Sequence, residues 1–286
     1  MIIDAHTHFY DPSRPQGAPW PPQESALWRP VLPPEFRSKA GPCGVTGTVV
    51  VEASPWVDDN DWVLALADAE PELLGLIGRI DPGDPDFAAH LDRLTAYRRF
   101  RGIRLSGQAV DASLRSPRFA EQLRRLAEHG LTLDLNVSPE VLEYVLAAAR
   151  PLPELRIVVD HMAGSDRPDG RPSVEVQETL RRIADRPRSW CKLSGFVEAA
   201  ARHHDPVPSH ADSYRPMFDA LREILGPQRL MYASNWPVSE LYAPYETVFE
   251  VARCWIDALD DEDQAAIWHR NAFEAYGLDE PRRSGS

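Results

Sequence analysis

Cysteine is scarce in this chain. Its 286 residues include three, Cys43, Cys191 and Cys254, widely separated and without CxxC spacing. An odd, scattered trio argues against a disulfide framework and against a thiolate zinc site. Long apolar runs are missing too. No stretch approaches the roughly 18 residues of a membrane span, and Asp4 and His6 interrupt the apolar N-terminus before it could act as a secretory signal. A cytoplasmic location is the resulting expectation. Basic residues are outnumbered, 31 Lys and Arg against 44 Asp and Glu, for a formal net charge of −13. That balance repels nucleic acid and anionic membrane, so neither is an expected partner. A small molecule is, and even an anionic one needs no more than one or two local arginines. The oligomeric state stays open. A Gly-rich phosphate turn is also missing: Gly44-Val45-Thr46-Gly47 is no GxGxxG, which weighs against a doubly wound dinucleotide-binding sheet.

What is present begins at the N-terminus. Met1 to His8 reads as a short apolar strand ending in His6 and His8. Side chains two apart on a strand share a face, so both imidazoles can meet one metal ion or one polarised oxygen. A proline-dense segment, Asp11 to Pro42, follows; it should be irregular, but Trp20 and Trp28 suggest that it packs, as a wall or lid beside the histidines. Then an alternation sets in. Strands are expected at Thr46–Val51, Leu74–Ile80, Gly102–Leu105, Leu131–Asn136, Ile157–Asp160, Trp190–Leu193 and Leu230–Ala233. Helices are expected at Asp59–Glu70, Phe87–Tyr97, Arg118–His129, from Ser138-Pro139-Glu140, at Val174–Ala184, Tyr245–Leu259 and Glu262–Tyr276. Eight strands alternating with helices or long loops predict an α/β fold, a single-domain (β/α)8 TIM barrel over residues 1–280, with 281–286 as a disordered tail. Such a barrel gathers every strand's C-terminal end at one mouth, where His6, His8, Glu52, Arg104, Asn136, His161 and Asn235 would ring one pocket.

Five stretches carry a resemblance. They are Ile3-Asp4-Ala5-His6-Thr7-His8, Val159-Asp160-His161-Met162, Lys192-Leu193-Ser194-Gly195, Ala233-Ser234-Asn235-Trp236-Pro237-Val238 and Asn271-Ala272. In this order they resemble the amidohydrolase superfamily, specifically its amidohydrolase-2 branch, over nearly the whole chain. The resemblance implies a distorted barrel and hydrolysis at a carbonyl carbon. It includes hydrolases of sugar, pyrone dicarboxylate and muconolactone lactones, and decarboxylases of aromatic or related acids in other branches. Three departures bear on the chemistry. Asn235 stands where many relatives carry an aspartate, Asn136 where many carry a metal-ligand histidine, and Arg104 where two-metal members have a bridging lysine. A two-metal site is therefore not expected; one divalent ion, zinc-like or manganese-like, or metal-independent catalysis are the alternatives.

Lactone opening needs an electrophile for the carbonyl oxygen, a base for water and an acid for the leaving alkoxide. His6 and His8 are candidate metal ligands, with Glu52 and His161 as a third and fourth. Glu52 is equally a candidate base, since a neutral Asn235 can orient water without taking its proton; a salt bridge to Arg104 or Lys192 is its structural alternative. His161 is a candidate ligand or acid-base group, and Arg104 a candidate carboxylate grip or carbonyl polariser. Trp20, Trp56, Lys192 and Trp236 are candidate substrate contacts. His203, His204 and His210 fit a solvated loop better. The expected activity is lactone hydrolysis on a sugar or aromatic-acid derivative. A metal-dependent decarboxylase, or a degenerate barrel that only binds a carbohydrate acid, are the alternatives.

Overall fold

The computed structural model describes residues 1–164 and 171–279; the tail expected to be disordered, 281–286, lies outside the described residues. Eight parallel strands follow one another in order around a single sheet. They are β1 (Ile3–Thr7), β2 (Gly47–Val51), β3 (Leu73–Gly78), β4 (Phe100–Gly107), β5 (Thr132–Val137), β6 (Arg156–Val159), β7 (Ser189–Leu193) and β8 (Leu230–Tyr232). The last strand returns to the first through two backbone hydrogen bonds just past its end, His8 N to Trp236 O at 2.9 Å and Asn235 N to His6 O at 3.0 Å. A register shift between Asp4 and Thr7 distorts the pairing of β1 with β2. The molecule is thus a distorted (β/α)8 barrel.

Local chemistry accounts for several helix starts. Ser116, Ser138 and Ser173 each accept a backbone N–H at a helix start, and Pro117 and Pro139 occupy the first turn, where a missing N–H costs nothing. The proline-dense segment is more ordered than its sequence suggests: Pro33–Ala40 is a helix, begun by two prolines that its first turn tolerates. The rest of that segment lies against the mouth of the barrel. Tyr10 and Val31 pair across it, and the Tyr10 hydroxyl donates to Leu27 O at 2.9 Å. The segment after β7 holds helices Phe196–Ala200 and Arg215–Leu225, neither of which stood out in the sequence.

The main core lies between the strands and the helices outside them. A second cluster joins strand residues such as Ile3, Val49, Ile77 and Val158 to Ala272, Ala275 and Tyr276 of the C-terminal helix. Thr132, the first residue of β5, donates to Ala275 O at 2.6 Å. The C-terminal helix therefore plugs the floor of the barrel and leaves the opposite mouth open.

Candidate active site

A cavity of ≈ 400 Å³ opens at the C-terminal ends of the strands. His8, Glu52, Arg104, Asn136, His161 and Asn235 all face it, from β1, β2, β4, β5, β6 and β8 or the residues just past them. Trp20, from the strap of chain after β1, and Arg79, just past β3, complete its polar and aromatic wall. His6 is fully buried directly beneath.

His8 and His161 are held in defined tautomers. The Val51 carbonyl, 3.0 Å from His8 Nδ1, can only accept, so that nitrogen carries the proton and Nε2 is left with its lone pair. His6 Nε2 lies 3.2 Å from His8 Nε2. Two tetrahedral ligands at about 2.0–2.1 Å from one ion stand about 3.3 Å apart, so this pair fits one metal edge. On its far side His6 Nδ1 meets Lys192 Nζ at 3.2 Å and Asp160 Oδ1 at 3.4 Å. Arg104 donates to His161 Nε2 at 3.4 Å, which assigns the proton to Nδ1, directed at Ser194 Oγ at 2.9 Å. Burial lowers all three imidazoles, His8 to about 4 with Arg104 adding to the effect, His161 to about 3, and His6 well below its usual value with help from Lys192. All three are neutral at physiological pH, the state that ligates metal or accepts a proton.

His6, Asp160 and His161 also bring ligand atoms within 4.8 Å of one another. Asp160 is a poor ligand on chemical grounds. One oxygen pairs with Lys192 at 3.0 Å and the other with Arg104 Nε at 3.0 Å. Burial works to raise its pKa, but Lys192, His6 and Arg104 hold it well below the usual carboxylate range. It is better described as a support that orients His6 and Arg104. Beneath it Lys192 Nζ binds Asp134 at 2.6 Å, and the Tyr276 hydroxyl donates to the same Asp134 oxygen at 3.1 Å. A layer of charge therefore spans the barrel interior between the apolar floor and the cavity.

Two carboxyls near the mouth are unusual. Burial pushes Glu52 up to about 7, against the pull of Arg104, whose guanidinium is 3.8 Å away. Burial also pushes Glu198 up to about 7. Glu198 stands behind the wall and accepts from Asn235 Nδ2 at 2.8 Å.

Several expected contacts lie elsewhere. Lys192 is fully buried and spent on Asp134 and Asp160, so it does not reach the cavity. Trp236 is also fully buried, packed on Phe9 and Phe36 in the core. Trp56 is 41% exposed and borders a narrow cleft beside Trp62 instead of the main cavity. Trp20 does face the cavity, 5.9 Å from the His8 ring. His203, His204 and His210 are exposed on the segment after β7, and none lines the cavity. Arg79, Asp134, Asp160 as a support and Glu198 were not singled out in the sequence. Asp134 carried a signal, a charge inside a strand, and Asp160 another, a charge just past the end of one; Glu198 carried none.

Comparison with known proteins agrees with this architecture. L-fucono-1,5-lactonase of Burkholderia ambifaria is 31% identical over 98% of this chain and 96% of its own length. L-fucono-1,5-lactonase of Burkholderia multivorans is 29% identical over 98% and 97%. A solved amidohydrolase from Burkholderia multivorans with bound zinc superposes with a TM-score of 0.82 at 27% identity, over 98% of this chain and all of the other. The amidohydrolase family model matches residues 3–278, and with the strand-end histidines, the buried aspartate and the barrel itself in place, the chain belongs to that family.

Proposed function

We propose that the protein hydrolyses a sugar-derived 1,5-lactone, with a small polyhydroxylated ring seated among Trp20, Asn136 and Arg104. The observation that carries this is the cavity itself. Its size suits one monosaccharide ring, and it sets a guanidinium (Arg104) opposite a carboxyl (Glu52) whose pKa of about 7 is matched to proton transfer. The full-length similarity to two sugar lactonases supports the substrate class.

In this reading water attacks the ring carbonyl carbon and gives a proton to Glu52. Arg104 faces the oxygen on which negative charge develops. The ring C–O bond then breaks, and the leaving alkoxide takes the proton from Glu52, leaving a hydroxy acid. His6 and His8 would hold one divalent ion, zinc-like or manganese-like; His161 would join them only by giving up its contact with Arg104. When bound, such an ion supplies a Lewis acid for the carbonyl oxygen. The three free cysteines, Cys43, Cys191 and Cys254, suit the reducing cytoplasm.

The test is acid release from a panel of sugar lactones by the purified protein, before and after chelation, with metal content measured in parallel. Hydrolysis of a 1,5-lactone is expected, and Glu52→Gln should lower kcat by about 100-fold, the scale of lost acid-base catalysis. No acid release from any lactone, or CO2 release from a related acid instead, would overturn the proposal.

A further inference from the structure

Asn235 is held on every side but one. Its backbone is in the left-handed region at φ +60°, a conformation asparagine tolerates better than most residues. Its N–H donates to His6 O at 3.0 Å, and its carbonyl accepts from Ser239 N at 3.2 Å. The side-chain amide has a donor end and an acceptor end, and turning it over would exchange them at the cavity wall. Glu198 decides between the two. The Asn235 NH2 end donates to Glu198 Oε1 at 2.8 Å, and an ionised Glu198, which has no proton to give, holds it in that orientation. The amide oxygen then faces away from Glu198, toward the cavity, where the Asn235 side chain also contacts His8.

We infer that Glu198 is a positioning residue: it fixes Asn235 with its amide oxygen toward the cavity, as the acceptor for one proton of the attacking water. The inference rests on the lactonase reading above. A water so held gives its other proton to Glu52 and turns a lone pair toward the carbonyl carbon. In this arrangement Asn235 orients the water, and Glu52 takes the proton. The arrangement is costly, which argues that it is not incidental. Glu198 Oε2 is buried without a hydrogen-bond partner among the described residues, a penalty that an apolar side chain would avoid.

A double-mutant cycle tests this. Losing one orienting hydrogen bond should lower kcat in Glu198→Ala on the order of tenfold with little change in KM, and Glu198→Gln, which keeps an acceptor oxygen, should recover most of it. In an Asn235→Ala background the same Glu198→Ala change should cost nothing further, because its effect runs through Asn235. Losses that multiply independently, or an unchanged kcat in Glu198→Ala, overturn the inference. If Glu198→Ala does not fold, Glu198→Met serves in the cycle. A readout independent of turnover separates this from the lactonase reading: the Asn235 side-chain amide signal in NMR, identified by its loss in Asn235→Ala. It should shift in Glu198→Ala and return toward its original position in Glu198→Gln. An unmoved signal overturns the inference even if lactones are hydrolysed. A moved signal in a protein that hydrolyses no lactone keeps the amide orientation and removes only the reaction.

Discussion

His161 stands on a backbone that few residues adopt. It opens a left-handed turn, with φ of +51°, +53° and +58° at His161, Met162 and Ala163 before Gly164. Each non-glycine residue there costs about 1–2 kcal/mol, a strain that the surrounding packing must hold in place. Gly195 makes that packing possible. Its own φ is +74°, and a Cβ at this position would lie 2.8 Å from His161 Cβ. Gly195→Ala should therefore destabilise the protein by about 1–3 kcal/mol and displace the His161 imidazole from its place beside His6 and Arg104. Urea unfolding and kcat measured together check this; a variant with wild-type stability and rate would show that the turn relaxes freely. Glu198 offers a second test at this scale. Burial raises its pKa from 4.5 to about 7, so the folded state binds its proton more tightly than the unfolded chain does. The sign follows: its penalty is absent below about pH 4.5, grows as pH rises, and is complete above about 7. Relative to Glu198→Gln, the native protein should lose about 3 kcal/mol between pH 4 and pH 8. Parallel pH-dependent curves for the two proteins would contradict the burial of this carboxyl.

Among the elements, the strap between β1 and the Pro33–Ala40 helix carries the most function for the least regular structure. Arg14 pins it, pairing with Asp59 at 3.1 Å and lying 4.4 Å over the Trp62 ring. Trp20, farther along the strap, packs on Tyr10 and reaches the cavity. Ion pair and cation–π contact together supply about 1–2 kcal/mol of local anchoring. Arg14→Ala should raise KM several-fold while leaving kcat nearly unchanged, and speed proteolysis between residues 11 and 32; an unchanged KM would mean that the Tyr10–Val31 pairing holds the strap alone. This strap also shows where the sequence can be read and where it cannot. β-Branched runs such as Thr46–Val51, followed by capped helices, made the barrel legible, and a barrel puts His8, Glu52, Arg104 and His161 at one mouth. The helix at Pro33–Ala40 was hidden because consecutive prolines mark a loop far more often than a first helical turn. Trp236 and Lys192 were misplaced for another reason. Both flank strand-end motifs, but the pleat and the register decide which neighbours face the cavity, and the register shift in β1 and the strand ends cannot be counted off from spacing. Glu198 was invisible because its partner, Asn235, lies 37 residues away and meets it only in the folded barrel.

At the scale of the whole molecule, the barrel interior is layered: an apolar floor sealed by the C-terminal helix, a sheet of buried charge, then the cavity. The charge layer joins Lys192, Asp134, Asp160, His6 and Arg104, and Tyr276 ties it to the floor through Asp134. Two buried carboxylates share one lysine, so their states are linked to it; Asp160 stays ionised, and burial lifts Asp134 to about 6. Such a layer adds little net stability compared with an apolar core, since desolvation offsets most of the attraction, but removing one member leaves uncompensated charge. Lys192→Met should therefore cost about 3–5 kcal/mol, more than any cavity-wall substitution, although Lys192 touches no substrate in this arrangement. Adding Asp134→Asn removes one orphaned charge and keeps an acceptor for Tyr276, so the double variant should regain at least about half of that loss. Turnover should not return with stability, because His6 Nδ1 still lacks the lysine that helps to hold it beneath His8. Thermal unfolding and kcat for the wild type, the two single variants and the double variant decide the matter. Additive losses would mean that the charges act one by one; recovery of stability without recovery of rate would show that the layer exists to aim the histidines.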